Sequence, residues 1–231
     1  MNQLIVFPFF GERYLKQFLV CAKTIPKHWQ VIVITDQQFE DDRFSIIWVD
    51  TPASDFDKMI FRRRIPEFVN IEAYDQVWHC DPDVLFTGDL LEKYGQLPYS
   101  KYILVSDEPG TKITDREMGV GFDPQVLELL SLNHAPAING GLIGVPKDQN
   151  GFWAKYSDYI DLFHSQFPDV MSCDQQVLNV IYHSRLFPFA LIESEDIGFP
   201  TRGPLGKLIN HFIGFDLNKH EVMQRYYESL L

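Results

Sequence analysis

The segment Tyr74–Leu90, YDQVWHCDPDVLFTGDL, sets Asp81 and Asp83 around Pro82 at the end of an apolar run, with a further acid at Asp89. Two carboxylates at that spacing offer oxygen donors suited to a hard divalent cation that keeps its other positions for water and phosphate. Pro82 fixes the backbone between them. The same three residues also make an ordinary capped turn, because Asp and Pro are common turn formers. The triplet alone leaves both readings standing.

Four other places carry candidate chemistry. On a helix, Lys58 and Arg62 share a face, and cations facing a metal site would bind a diphosphate; the adjacent Arg63 and Arg64 read as a solvated surface. The stretch INGG, residues 138–141, reads by itself as a hairpin or bulge. Alternatively its glycines let the backbone approach a ligand while Asn139 hydrogen-bonds a hydroxyl. Asp174 and Gln175 open a helix, where Ser172 with Gln175 fits a capping box and Asp174 suits the helix dipole. A helix start can also aim a polar group at a substrate. His211 lies in LINHFIG, where a lone His is more often structural than a ligand. As a ligand it would need a neutral imidazole with carboxylate partners, and Gly214 would let the chain turn over a phosphate.

The elements that must position these residues alternate along the chain. QLIVFPF, WQVIVITD, FSIIWVD and YDQVWHCD read as strands, the first two separated by a helix in which Leu15, Phe18, Leu19 and Ala22 recur until Pro26. DFDKMIFRRRIPEFV reads as one helix with Phe61, Ile65 and Phe68 on a face. DLLEKYG is a short helix and KYILVSDEP a strand. DREMGVGFD reads as a loop, and DPQVLELLSL as a helix capped by Asp123 with Pro124 first. Trp153, Tyr156, Ile160, Phe163 and Phe167 mark an amphipathic helix, CDQQVLNVIYHS another, KLINHFIG a late strand and KHEVMQRYYESLL a closing helix. Strands joined by helical crossovers predict an α/β fold with a central, mostly parallel sheet flanked by helices.

With 231 residues, 45% of them hydrophobic, the chain has ample material for a packed core, and no repeat or linker divides it. A net charge of −12 argues against a nucleic-acid partner, because a polyanion would be repelled by most of the surface. Cys21, Cys80 and Cys173 match no metal spacing or disulfide framework, which fits a reducing compartment. MNQLIVFPFF lacks the basic n-region of a secretory leader, and no run approaches the length of a transmembrane helix. The expected location is the cytoplasm, with peripheral contact to a membrane left open, although no basic amphipathic anchor is visible.

In chain order, a basic helix, a strand ending in D-x-D, N-x-G in an apolar run, D-Q opening a helix and H-F-x-G near the C-terminus resemble the nucleotide-diphosphosugar glycosyltransferases of the GT-A fold. The set is most similar to the glycogenin and lipopolysaccharide-galactosyltransferase group, family 8, and spans about Lys58 to Gly214. The resemblance implies a single GT-A, Rossmann-like domain over residues 1–231. It implies that Asp81 and Asp83 hold Mn²⁺ or Mg²⁺ bridging the donor diphosphate, with His211 as third ligand. Asn139 and Gly141 would then lie near sugar and acceptor, and Asp174 and Gln175 beside the anomeric carbon. Arg62, with Lys58, would lie near the sugar or phosphates, and Gly214 and Phe7 on the donor side. The chain also departs from the pattern. The His motif lacks the usual Lys-Pro-Trp, with Lys219 offering a lysine at a different spacing. Gln176 stands where a third acid is usual, and FPFFGERYL has no clear counterpart to the nucleotide-gripping residues.

The implied activity is metal-dependent transfer of a hexose from a nucleotide-sugar, expected to be a UDP-sugar, to a hydroxyl of a saccharide or glycolipid acceptor, with retention. An inverting enzyme would instead need a carboxylate such as Asp174 or Asp107 as general base. A non-catalytic nucleotide-sugar or glycan-binding module is the alternative of a different class. A sugar-1-phosphate nucleotidyltransferase ranks below both, since it would want a Gly-rich loop after the first strand and FPFFGERYL has one glycine.

Overall fold

A computed structural model of the chain describes residues 1–113, 135–166, 173–200, 203–214 and 218–231. Its elements run β1 (Gln3–Phe9), α1 (Glu12–Cys21), β2 (Gln30–Thr35), β3 (Ser45–Trp48), α2 (Asp55–Met59), a 3₁₀ turn (Phe61–Arg64) and α3 (Ile65–Phe68). Then come β4 (Gln76–Cys80), β5 (Val84–Phe86), α4 (Leu90–Tyr94), β6 (Ile103–Lys112) and β7 (Pro136–Pro146). The chain closes with α5 (Gly151–Gln166), α6 (Cys173–Ser184), β8 (Phe189–Leu191), β9 (Ile197–Gly198), β10 (Ile209–His211) and α7 (Lys219–Ser229).

Among the described residues the central sheet has seven strands in the order β3-β2-β1-β4-β7-β6-β8. β1, β2, β3 and β4 are mutually parallel, and β7 is antiparallel to both its neighbours, β4 and β6. Period-two alternation divides β1 between two cores. Leu4 and Val6 face the cluster built with Phe61, Ile65, Trp153, Tyr156 and Leu178. Ile5, Phe7 and Phe9 face the opposite cluster, with Phe18, Leu85, Ile209, Phe212 and Met223. Both faces of the strand are covered, which is why it reads as a continuous apolar run. A small second sheet, β5-β10-β9, closes the Phe7 side, with β5 antiparallel to β10.

The sheet opens where the site lies. β1 pairs with β4 from Gln3↔Gln76 to Val6↔His79, whereas its pairing with β2 continues to Phe9↔Thr35. Pro8, which has no N–H to give, therefore lies beyond the last β4 pair. Past that point the chain after β1 and the Asp81–Asp83 turn after β4 form two walls at the carboxyl ends of parallel strands, where open α/β sheets bind ligands.

Three expectations change. The predicted helix over 55–69 is broken into α2, the 3₁₀ turn and α3, because in an unbroken helix the Pro66 ring would clash with the Arg62 carbonyl. INGG is no hairpin: residues 138–141 run inside the buried strand β7. Its pairing with β6 is irregular there, the register shifting between Leu104↔Gly144 and Ser106↔Asn139. The late strand is shorter than KLINHFIG, and β5, β8 and β9 have no counterpart in the expected elements. The loop and helix expected over 115–132, with Phe167 and Ser172, lie outside the described residues.

Candidate active site

A cleft of about 320 Å³ opens at the end of β1. One wall is Pro8, Phe9, Phe10 and Tyr14; the others are Lys58, Met59 and Arg62, the turn Asp81–Asp83 with His79, the start of α6 at Asp174 and Gln175, and Lys219. Donor atoms of Asp81, Asp83 and His211 come within 4.8 Å of one another. The turn reading of the triplet and the cradle reading do not exclude each other, because the turn aims both carboxylates at one region.

β10 brings His211 to the triplet. Its pairing with β5 sets His211 opposite Val84, and Phe212 N donates to the Asp83 carbonyl at 2.9 Å. His211 Nε2 then lies 3.1 Å from Asp83 Oδ1. The imidazole rests on Gly141, where a Cβ would fall 2.2 Å from its Cε1. Gly141 is also tied to the acids directly, its carbonyl accepting from Asp81 N at 2.7 Å.

Burial alone would raise the Asp83 carboxyl, but the His211 imidazole and then Lys219 hold it below the usual carboxylate range, against the opposing charge of Asp81. At Asp81 burial is again outweighed, by a hydrogen bond from His79 (3.0 Å to Oδ1) and by the Arg62 charge. His79 is itself pushed down by burial and by Arg62, so it serves Asp81 as a neutral N–H donor. Two carboxylates held below their ordinary range thus face one region, with Lys219 beside Asp83 and the Arg62 charge acting on Asp81.

The residues present fit a divalent ion. Two carboxylates and one imidazole form a mixed oxygen–nitrogen donor set, and His211 Nδ1 is buried without a hydrogen-bond partner among the described residues.

Arg62 organises the opposite wall. It is buried, donates to the Gly140 carbonyl, and donates to Asp174 Oδ2 at 2.6 Å. Asp174 is further held by Tyr156, whose hydroxyl donates to its carbonyl at 3.0 Å. Gln175 donates to Glu108, a buried carboxylate in the middle of β6. Asn139 is buried in β7 and accepts from Gly141 N at 2.8 Å, an internal hydrogen bond that fixes the strand beneath His211. Lys58 lines the cleft but pairs with Asp55 at 2.8 Å. Arg63 and Arg64 turn outward, to Asp161 and Glu67, as a surface face should.

Two residues expected on the donor side fall elsewhere. Phe7 is fully buried in the core, edge-on to Phe18, one turn of the pleat short of the strand end; the residues at that end, Pro8, Phe9 and Phe10, take the wall instead. Gly214 does not line the cleft, although its φ of 125° suits glycine. Asp107, the alternative base, is half-buried opposite Ile138 in β7, and its neighbour Glu108 carries the carboxylate beside Gln175. His79, Glu108 and Tyr14 join the site without having stood out in the sequence. Alternation could have found the first two: His79 shares a face with Asp81, and Glu108 points opposite to Asp107.

Comparison with known proteins agrees with this architecture. No protein-family model and no curated protein matches the chain. Among solved structures, 98% of the chain superposes on 60% of the apo glycosyltransferase GlyE of Streptococcus pneumoniae TIGR4, with a TM-score of 0.61 and 18% identity. It also superposes over 98% of its length on 95% of the galactosyltransferase LgtC, solved with donor and acceptor sugar analogs, with a TM-score of 0.62 and 15% identity. The chain thus spans about three fifths of the length of GlyE and nearly all of LgtC. The fold is the GT-A fold of these glycosyltransferases, an α/β architecture with a central, mostly parallel sheet flanked by helices.

Proposed function

We propose that the protein is a single-domain, divalent-metal-dependent glycosyltransferase that moves a hexose from a nucleotide-sugar, of the UDP class, to a hydroxyl of a saccharide or glycolipid acceptor. The observation that carries this reading is the Asp81–Asp83–His211 cluster at the carboxyl end of the sheet, on a fold shared with glycosyltransferases. LgtC, with its donor and acceptor analogs, supports a donor-plus-acceptor site by analogy of fold.

Asp81, Asp83 and His211 would hold Mn²⁺ or Mg²⁺. Such an ion, when bound, supplies Lewis acidity to the departing diphosphate. Lys58, Arg62 and Lys219 line the same cleft and add positive charge where negative charge develops. Pro8, Phe9, Phe10 and Tyr14 form the wall that a nucleoside would contact, in place of Phe7. Asn139 and Gly141 do not line the cleft and act through His211, whose imidazole rests on Gly141 in the strand that Asn139 fixes.

Asp174 and Gln175 stand at the reacting end. The Asp174 Oδ2 lone pair is occupied by Arg62, and the Gln175 amide by Glu108. A carboxylate already holding a guanidinium is better suited to orienting a sugar than to taking a proton, which favours retention over the inverting alternative. A panel of nucleotide sugars tests the proposal through release of the nucleoside diphosphate. Release should require a divalent ion and vanish in Asp83→Ala. Binding of a nucleotide sugar with no turnover in any donor–acceptor pair would favour the non-catalytic module.

A further inference from the structure

Asp83 is held from two sides. Oδ1 lies 3.1 Å from His211 Nε2, and Oδ2 accepts from Lys219 Nζ at 2.5 Å. The Lys219 and Asp83 side chains are 12% and 11% exposed, so this is a desolvated ion pair and not a surface contact. An ammonium therefore sits on one of the carboxylates that offer their donor atoms to a divalent ion. Two cations on one carboxylate repel each other strongly at contact distance. Binding of the ion at Asp83 must weaken or break the lysine contact.

The lysine can leave without moving its helix. Lys219 is the first residue of α7, and α7 is anchored further along. Met223 is fully buried, Tyr226 packs on Phe212 with ring centroids 5.6 Å apart, and Lys23 donates to Gln224 at 2.7 Å. A four-carbon stem allows the head group to swing while the backbone stays. Lys219 also lines the cleft shared with Lys58 and Arg62, so a released ammonium remains where an anionic ligand would bind.

We propose that Lys219 is an exchangeable counter-cation of Asp83. It neutralises the carboxylate in the ion-free protein, yields it to the divalent ion, and turns to the donor diphosphate. Ion and donor then bind with positive coupling, because each favours the displaced position of one side chain. The proposal rests on the nucleotide-sugar reading above.

The test is Mn²⁺ binding, followed by loss of the free-ion electron paramagnetic resonance signal, with and without UDP. Wild type is compared with Lys219→Met, and with Lys219→Gln should the first variant lose its cooperative melting. Without nucleotide, the variant should bind Mn²⁺ about tenfold tighter than wild type, within the usual range of site coupling. UDP should tighten Mn²⁺ binding to wild type and do so markedly less in the variant. If wild type binds Mn²⁺ and the variant binds no tighter, the exchange is refuted while the metal reading stands. An undiminished effect of UDP in the variant refutes the hand-over to the diphosphate. Wild type that binds no Mn²⁺ overturns the metal reading and the exchange together, and Mn²⁺ binding indifferent to UDP overturns the donor reading and the hand-over.

Discussion

Gly141 and His211 share a volume that leaves no room for a methyl group, since a Cβ at 141 would lie 2.2 Å from the imidazole. Gly141→Ala should therefore displace His211 from Asp83 and weaken Mn²⁺ binding by about tenfold or more, read by calorimetry. Unchanged affinity would show that His211 is not a ligand. Gln175→Ala separates chemistry from helix capping: activity should fall by roughly two orders of magnitude or more with the melting temperature nearly unchanged. A matching fall in melting temperature would assign Gln175 to the helix end. Among single residues, types and order are legible in the sequence but partners are not. Asp83 and His211 are 128 positions apart, and Arg62 and Asp174 are 112 apart. Nothing in either local pattern carries such a distance. Residue type alone suggests Phe7 and Asp107, whereas position along their strands decides what each side chain reaches.

Between elements, two of the polar contacts that join them can be measured directly. Arg62 ties the 3₁₀ turn to α6 through Asp174, with both side chains under 10% exposed. Removing the guanidinium leaves a buried carboxylate uncompensated, so Arg62→Met should cost about 3–5 kcal/mol in urea unfolding. Adding Asp174→Asn should recover part of that loss, and a purely additive double variant would contradict the pairing. Asp36, just after β2, binds the start of α1, accepting from Gly11 N at 2.8 Å and from Thr51 Oγ at 2.7 Å. Burial would raise its carboxyl, but these hydrogen bonds and that of Gln37 hold it below its ordinary value. A carboxylate with a depressed folded-state pKa binds fewer protons folded than unfolded, so its stabilisation is present above about pH 4 and fades as pH falls below that. Asp36→Asn should lose about 1–2 kcal/mol at pH 7, and its melting-temperature gap from wild type should shrink by about pH 3. A gap that stays constant would show that the ionised form contributes nothing. The strands of the first half are legible because apolar runs bounded by turn residues have few other uses. The break in the helix over 55–69 is not, since its periodicity continues past the point where Pro66 interrupts the backbone.

For the molecule as a whole, an acidic chain of net charge −12 concentrates Lys58, Arg62 and Lys219 around one cleft. The α/β class follows from the alternation of elements, and the GT-A expectation from the order of five short motifs. The antiparallel direction of β7 does not follow, because an apolar run carries no direction, and neither does the small sheet that delivers His211, because strands of two or three residues leave too little pattern to read. Neither does the nucleoside wall, since FPFFGERYL departs from the family pattern and its aromatics divide between core and cleft. No helix among the described residues is long and apolar enough to cross a membrane. Everything proposed for the cleft turns on two ionised acids and a histidine holding a divalent ion for cleavage of a nucleotide-sugar. The decisive experiment is UDP release from a UDP-hexose, followed on one protein sample as purified, after chelation with EDTA, and after restoring Mn²⁺. Release should stop on chelation and return with Mn²⁺. Release at a comparable rate in EDTA would refute the metal-dependent mechanism.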